Sequence, residues 1–229
     1  MIEEPKPLRI ARDLRRPTQE QIDALRGYPT GFVLDAMLGA GAMAAAISPC
    51  PGLEAAVCGP ALVAGNRPGD LLATLAAIHF VRPGDVVVAS AEGYLGCAAA
   101  GDRALGMLRN AGAAGFVTDG ALRDHAGLLA VGLPAWCAGL TPGSPVARGP
   151  GTLGLPANVG GQRVENGDMI VADADGVVVV PFGMIDTVTV AVADVAAAET
   201  ALDAEVADGL CELGLIAEML ERGDDVEWV

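Results

Sequence analysis

Two short pairs, Gly101-Asp102 and Arg123-Asp124, carry the residue types from which an anion-handling site is built. An arginine fork grips a carboxylate or phosphate through parallel hydrogen bonds, and a neighbouring aspartate supplies a hard oxygen ligand. Gly101-Asp102 stands at the start of a helical pattern and Arg123-Asp124 follows a strand-like run, so both pairs fall at the C-terminal ends of predicted strands. Ligands of open α/β sheets collect in that crevice, where the first amides of a helix, here those of Arg103 and Ala104, suit an anion. Helix capping explains each aspartate taken alone, but not an arginine beside the second one at an equivalent sheet edge. Glu199 is the third candidate. It falls on the apolar stripe Ile185, Val188, Val192, Val195, Leu202 and Val206, so it is either a tolerated edge position or an acid aimed at a metal or a basic group on a facing surface.

Other chemistries lack their residues. The two histidines, His79 and His125, give little support to a histidine-based zinc site; His79 reads as a helix residue near a core edge and His125 as a solvent-facing residue of a first helical turn. The five cysteines (Cys50, Cys58, Cys97, Cys137, Cys211) are scattered and form no C-x-x-C pair, which predicts reduced, buried thiols. The string Gly39-Ala40-Gly41-Ala42-Met43-Ala44 imitates a dinucleotide fingerprint, but a helix-like run precedes it and Pro49-Cys50-Pro51-Gly52 breaks the chain behind it.

The elements that must position the candidates alternate along the chain. Thr18 to Leu25 and Pro29-Thr30 to Leu38 read as short helices, each with a capping hydroxyl. From Cys58 onward, PALVAG, a helix after Pro68-Gly69-Asp70, DVVVAS, a helix from Asp102, GFVTDG, a helix from Asp124 and LPAWCAG succeed one another, the pattern of βαβ units. Thr141 to Gly161, rich in Gly, Pro and Ser, reads as a loop. Asp168 to Ala172 and Val177 to Val180 flank a turn and predict a β-hairpin, and the rest is helical. The expected organisation is an α/β domain over residues 1–183 with an N-terminal helical arm, then a helical extension over 184–229 that packs on the domain or on a neighbouring subunit.

Composition narrows the partners. The chain has 229 residues, is 52% hydrophobic, and sets 29 acids against 14 bases for a net charge of -15. Such a charge repels phosphate backbones and anionic lipid, so neither nucleic acid nor a membrane is expected as a direct partner. Residues 184–229 hold twelve of the acids and one base, Arg222. With no apolar run long enough to span a bilayer and no hydrophobic core near the N-terminus, a cytoplasmic protein is expected.

Four ordered blocks carry a resemblance: G-D-R-A-L (Gly101 to Leu105), G-F-V-T-D-G-A-L-R-D (Gly115 to Asp124), G-L-P-A-W (Gly132 to Trp136) and V-A-D-A-D-G-V-V-V-V-P (Val171 to Pro181). Together they resemble the 4-hydroxy-4-methyl-2-oxoglutarate / 4-carboxy-4-hydroxy-2-oxoadipate aldolase family and its relative, the regulator of ribonuclease activity A. The resemblance spans the chain from about Thr18 into the C-terminal helices. It implies a three-layer swivelling-type β/β/α fold, assembly as a trimer or hexamer with sites between subunits, and a lyase dependent on Mg²⁺ or Mn²⁺ that releases pyruvate from 4-hydroxy-2-oxo acids. Oxaloacetate decarboxylation is implied as a side activity through the same enolate. By the same resemblance, Arg123 binds the pyruvate carboxylate, Asp124 ligates the metal directly, and Asp102 holds it through water. Gly101, Asp102, Arg103 and Ala104 then line the substrate, and Glu199 reaches the site from a neighbouring subunit.

The chain departs from the family where leucines usually follow G-D, since Arg103-Ala104 stand there, and where the P-G-D-N-type segment reads Pro68-Gly69-Asp70-Leu71. A long cation at position 103 adds a second carboxylate contact or points into solvent. The chemistry is self-consistent: cleavage leaves negative charge on the 2-oxo oxygen, which a metal stabilises as a Lewis acid. The only lysine, Lys6, sits in the N-terminal arm, which disfavours a Schiff-base aldolase. The alternative reading is a non-catalytic regulator that binds a ribonuclease or helicase through its surface.

Overall fold

The computed structural model describes residues 6–53, 56–223 and 225–229, so the first five residues of the N-terminal arm lie outside it. The first part of the chain runs β1 (Leu8–Ile10), α1 (Gln19–Ala24), α2 (Thr30–Ala36), β2 (Ser48–Pro49), β3 (Val57–Gly65), α3 (Leu72–Ala77), β4 (Val86–Ser90), β5 (Ala98–Ala100) and α4 (Asp102–Asn110). It continues through β6 (Gly115–Thr118), β7 (Ala121–Leu122), α5 (His125–Val131), β8 (Ala135–Cys137), β9 (Gly139–Leu140), β10 (Gly151–Leu153), β11 (Ala157–Val159) and β12 (Gln162–Val164). The hairpin β13 (Met169–Ala172) and β14 (Val177–Val180) follows, then α6 (Ile185–Ala207) and α7 (Gly214–Arg222).

The main sheet has nine strands, with the path β1-β10-β3-β4-β6-β8-β2 and the β13–β14 hairpin attached to β3. Strands β3, β4, β6 and β8 are mutually parallel, as the alternation of apolar runs and helices predicts. Their residues alternate between two cores. Leu62, Val87, Phe116 and Ala135 pack with α4 and α5 residues such as Leu105 and Leu128, while their neighbours Val63, Val88, Val117 and Trp136 pack against Ile170, Val179 and Val159. A strand turns successive side chains to opposite faces, so a sheet covered on both sides reads as an unbroken apolar run. A third core joins Ile22, Leu25 and Val33 to the hairpin and to Ile185, Val188 and Val192 of α6.

The βαβ pattern of the residues does not announce a second sheet. β5, β7 and β9 form a three-stranded parallel sheet in series with the first. After β4 and again after β6, the chain crosses one short strand of this sheet before entering its return helix, α4 or α5. The parallel C-terminal ends of β5 and β7 therefore deliver Gly101-Asp102 and Arg123-Asp124 to one edge, each at the start of a helix.

Three expectations are corrected. Thr18 caps α1 in a reciprocal box with Gln21, as expected, but Thr30 is the first residue of α2 rather than its cap. The Thr30 N–H and hydroxyl instead donate to Asp173 in the hairpin turn, at 2.8 and 2.7 Å. The stretch from Thr141 to Gly161 is not wholly loop: it contains β10, which pairs parallel with β1 and antiparallel with β3, and β11, which pairs with β12. Finally, the cysteines are all free, but only Cys50 and Cys137 are buried; Cys58 and Cys97 are half-buried and Cys211 is exposed. The Gly39–Ala44 string follows α2, and Ala42 forms a single bridge with Val178, so no strand-turn-helix surrounds it.

The chain divides into two compact units, Met1–Val192 and Ala193–Val229. The second contains the rest of α6 and all of α7. Its stripe residues Leu202 and Val206 are 38% and 56% exposed. No helix among the described residues is long and apolar enough to cross a membrane.

Candidate active site at the edge of the second sheet

Gly101 caps α4 in an extended conformation, with φ -139°. A Cβ at this position would lie 2.8 Å from Asp124 Oδ2 and 3.0 Å from Arg123 Cγ, so the absence of a side chain lets the arginine and the aspartate close over the helix start. The Arg123 Nε lies 3.2 Å from Asp124 Oδ2, and its Nη1 donates to Ser144 Oγ at 2.6 Å. These two contacts fix the guanidinium plane and leave Nη2 available to an anion.

Asp124 is left-handed, with φ 62° and ψ 46°, and its side chain makes no capping bond to α5. Only Leu38, Glu92 and Asp124 have positive φ among the described non-glycine residues. Aspartate accepts this conformation more readily than most residues, yet it remains costly, and a cap does not account for it. The Asp124 carboxylate is 45% exposed and its Oδ1 has no protein partner among the described residues. Asp102, half-buried at the first position of α4, accepts the Arg103 N–H through Oδ1 at 2.7 Å. The expected free amide at Arg103 is therefore taken by its neighbour's carboxylate. Arg103 itself is exposed and Ala104 is buried against the core.

α4 and α5 approach closely because α5 has Gly127 where it meets Asp102: a Cβ on Gly127 would fall 2.7 Å from Asp102 Cβ and 2.8 Å from its Cγ. His125, the next residue after Asp124, is half-buried rather than solvent-facing, and its Nε2 lies 2.6 Å from the Pro51 carbonyl oxygen. Below this edge, Asp119 braces the turn after β4 by accepting the N–H groups of Ala91 at 2.6 Å and Gly93 at 3.1 Å. Burial pushes the Asp119 carboxyl above its ordinary range, against the opposing pull of those amides.

The structure thus brings Gly101, Asp102, Arg103, Ala104, Arg123 and Asp124 to one edge. Glu199 lies half-buried in α6, within the second unit. Sequence reasoning missed Ser144, which holds Arg123 from a Gly/Pro-rich segment, and Gly127, whose role is only visible once α4 and α5 are packed.

Among the described residues no cluster of three or more His, Cys, Asp or Glu surrounds a cation position. The donor chemistry suits a hard ion that keeps most of its waters: one exposed carboxylate, Asp124, with a second, Asp102, nearby.

Residues 30–179 match the RraA-like family, Aldolase/RraA. A protein of Halalkalibacterium halodurans named "Putative 4-hydroxy-4-methyl-2-oxoglutarate aldolase" is 39% identical over 174 residues, covering 75% of this chain and 82% of that protein. Among solved structures, an uncharacterized protein from Pseudomonas syringae pv. tomato superposes with a TM-score of 0.76 at 25% identity, covering 87% of this chain and 93% of that one. RraAS2 of Streptomyces coelicolor, described as an unusual member of the RNase ES inhibitor RraA protein family, superposes with a TM-score of 0.73 at 26% identity, covering 83% of this chain and all (100%) of that one. The matched span, which covers more than half of the chain, and the 39% identical relative show the family: the chain belongs to the RraA-like, Aldolase/RraA family.

Proposed function

We propose that the protein is a divalent-metal-dependent pyruvate lyase that cleaves 4-hydroxy-2-oxo acids, built on a three-layer swivelling-type β/β/α domain. The observation that carries the reading is the Gly101 gap, which seats a fixed arginine and a strained, partly exposed aspartate together at the start of α4. Strain of this kind is kept where function requires it.

Arg123, held by Asp124 and Ser144, directs its free Nη2 at the substrate carboxylate, and the start of α4 adds the amide of Ala104 and the positive end of the helix dipole. Asp124 would hold Mg²⁺ or Mn²⁺ directly and Asp102 through water. The bound ion would supply Lewis-acid stabilisation of the negative charge that cleavage leaves on the 2-oxo oxygen. Asp102 keeps Oδ2 free of protein donors, which leaves it able to orient a water and to hold a proton during cleavage. Glu199, contributed by a neighbouring subunit of a trimer or hexamer, completes the acid set. Oxaloacetate decarboxylation follows from the same charge stabilisation.

The test is pyruvate release from 4-hydroxy-4-methyl-2-oxoglutarate and from oxaloacetate with Mg²⁺ or Mn²⁺, then with EDTA, for the wild type and Asp124→Asn. Asparagine tolerates the left-handed backbone, and the native side chain caps nothing, so the fold is expected to persist while metal-dependent turnover is lost. Full activity of Asp124→Asn, or activity indifferent to EDTA, refutes the assignment. The Streptomyces coelicolor relative supports a second reading, a regulator acting through its surface on a ribonuclease. Inhibition of a ribonuclease by the Asp124→Asn protein, with no lyase activity in the wild type, favours that reading.

A further inference from the structure

A cavity of about 1040 Å³ opens at the C-terminal ends of the parallel strands of the main sheet. Asn66 follows β3, Ser90 ends β4, Asp119 follows β6 and Ala138 follows β8, and all four line it. It is distinct from the edge described above: Gly101, Asp102, Arg123 and Asp124 do not line it. β7 lies between the two along the chain, with Asp119 ahead of the strand and Arg123 behind it.

Three of the chain's cations, Lys6, Arg9 and Arg67, line this cavity. All three are exposed, and none takes part in an ion pair among the described residues. In a chain with 29 acids and 14 bases, a lining in which the bases outnumber the acids runs against the overall balance. Two acids share the lining, Glu92 and Asp119. Asp119 spends its oxygens on the Ala91 and Gly93 amides, so Glu92 alone remains free to oppose the three.

The two arginines are mounted on fixed backbone. Arg9 is set by the parallel register of β1 on β10, opposite Thr152. Arg67 follows Asn66, which is 4% exposed and clamped: its Nδ2 donates to Thr74 Oγ1 at 2.9 Å and its Oδ1 accepts the Ala73 N–H at 2.9 Å. Ile47 and Leu95 add apolar wall. A large concave site with a few convergent charges at the carboxyl ends of parallel strands has the form of a metabolite site.

We propose that this cavity binds a small organic polyanion, a molecule bearing two or more phosphate or carboxylate groups on a carbon skeleton, through Lys6, Arg9 and Arg67. The inference is independent of the lyase reading, because it concerns a different site and is read by binding alone.

The experiment is calorimetric titration of the purified full chain in metal-stripped buffer of low ionic strength, with pyrophosphate, citrate and acetate as probes. Pyrophosphate or citrate is expected to bind once per chain, and acetate at least about tenfold more weakly, since a single charge engages fewer of the cations. Binding of pyrophosphate alone assigns the site to phosphate groups, and binding of citrate alone assigns it to carboxylates. Arg9→Gln and Arg67→Gln are each expected to weaken binding by roughly tenfold or more, about 1.4 kcal/mol. Arg12→Gln, which removes an exposed arginine outside the cavity, should bind like the wild type, and Arg123→Gln reports any anion held at the other edge. Absence of binding by both polyanions overturns the proposal. So does equal weakening by Arg12→Gln, which marks diffuse attraction, or weakening by Arg123→Gln alone, which puts the anion at the other edge.

Discussion

Two helical glycines on facing helices, Gly127 in α5 and Gly106 in α4, should respond in opposite directions to the same substitution. Neither has positive φ, so alanine meets no backbone strain at either position, and each change gains up to about 1 kcal/mol of helix propensity. At Gly106 the new Cβ would lie 3.5 Å from Val131 Cγ2, an ordinary contact, so Gly106→Ala is expected to stabilise by about 0.5–1 kcal/mol. At Gly127 it would fall 2.7 Å from Asp102 Cβ, which no rotation of the Asp102 side chain relieves, because Cβ does not move with χ1. The two helices must part by about 1 Å, and overpacking of this kind costs about 1–3 kcal/mol. Because the propensity gain is common to both, the difference between the two variants isolates the packing cost. Urea denaturation of both variants reads it directly. The same separation carries Gly101 and Asp102 away from Arg123 and Asp124, and a displacement near 1 Å at reacting groups costs on the order of 100-fold in rate. Gly127→Ala should therefore lose pyruvate release far beyond its loss of stability, and Gly106→Ala should keep it. Equal stability of the two variants with unchanged turnover would refute both the packing argument and the role given to this edge.

Glu199→Gln should depress turnover while light scattering shows an unchanged assembly, and mixing it with inactive Arg123→Ala should restore partial activity through mixed interfaces; no recovery after confirmed subunit exchange puts the site within one chain or excludes Glu199. The wild type should scatter as a trimer or hexamer, because the apolar residues Leu202 and Val206 of α6 are left exposed, and a mass near 23 kDa at micromolar concentration contradicts this. The raised Asp119 carboxyl binds its proton more tightly folded than unfolded, so its contribution to stability is fullest below the ordinary carboxylate range and is lost as pH rises through its raised native value. Urea melts of the wild type and Asp119→Asn across the acidic range should show the wild type losing ground as pH rises, and a constant difference between the two rejects the shift.

What could be read in advance follows the range of the forces involved. The runs PALVAG and DVVVAS announce strands because all their residues but Gly65 are buried on one face or the other, and the hairpin announces itself by its turn. Gly101-Asp102 and Arg123-Asp124 were legible because a helix start after a strand is a local pattern. β10 was not, since three residues with a glycine have no period of their own and are strand only because β1 and β3 hold them. β7 and β9, two residues each, leave no signal at all. The partners of Arg123 and Thr30, Ser144 and Asp173, lie 21 and 143 residues away, beyond any periodicity. Glu199 could be placed on its helix by spacing, but spacing does not say which surface that helix meets.

The shortness of β7 makes the candidate site a matter of chain length as well as of residue identity. Its two residues join the brace at Asp119 to the pair at Arg123 and Asp124, with Ala121 and Leu122 both buried. A strand reverses the facing of its side chains at every step, so one residue gained or lost there would turn Arg123 away from Gly101 while leaving every side chain of the pair intact. Relatives that keep the arginine and the aspartate but differ by a single residue between the Asp119 position and that pair are therefore expected to have lost the edge. Counting residues between Asp119 and Arg123 should sort competent sequences from incompetent ones before any assay is run.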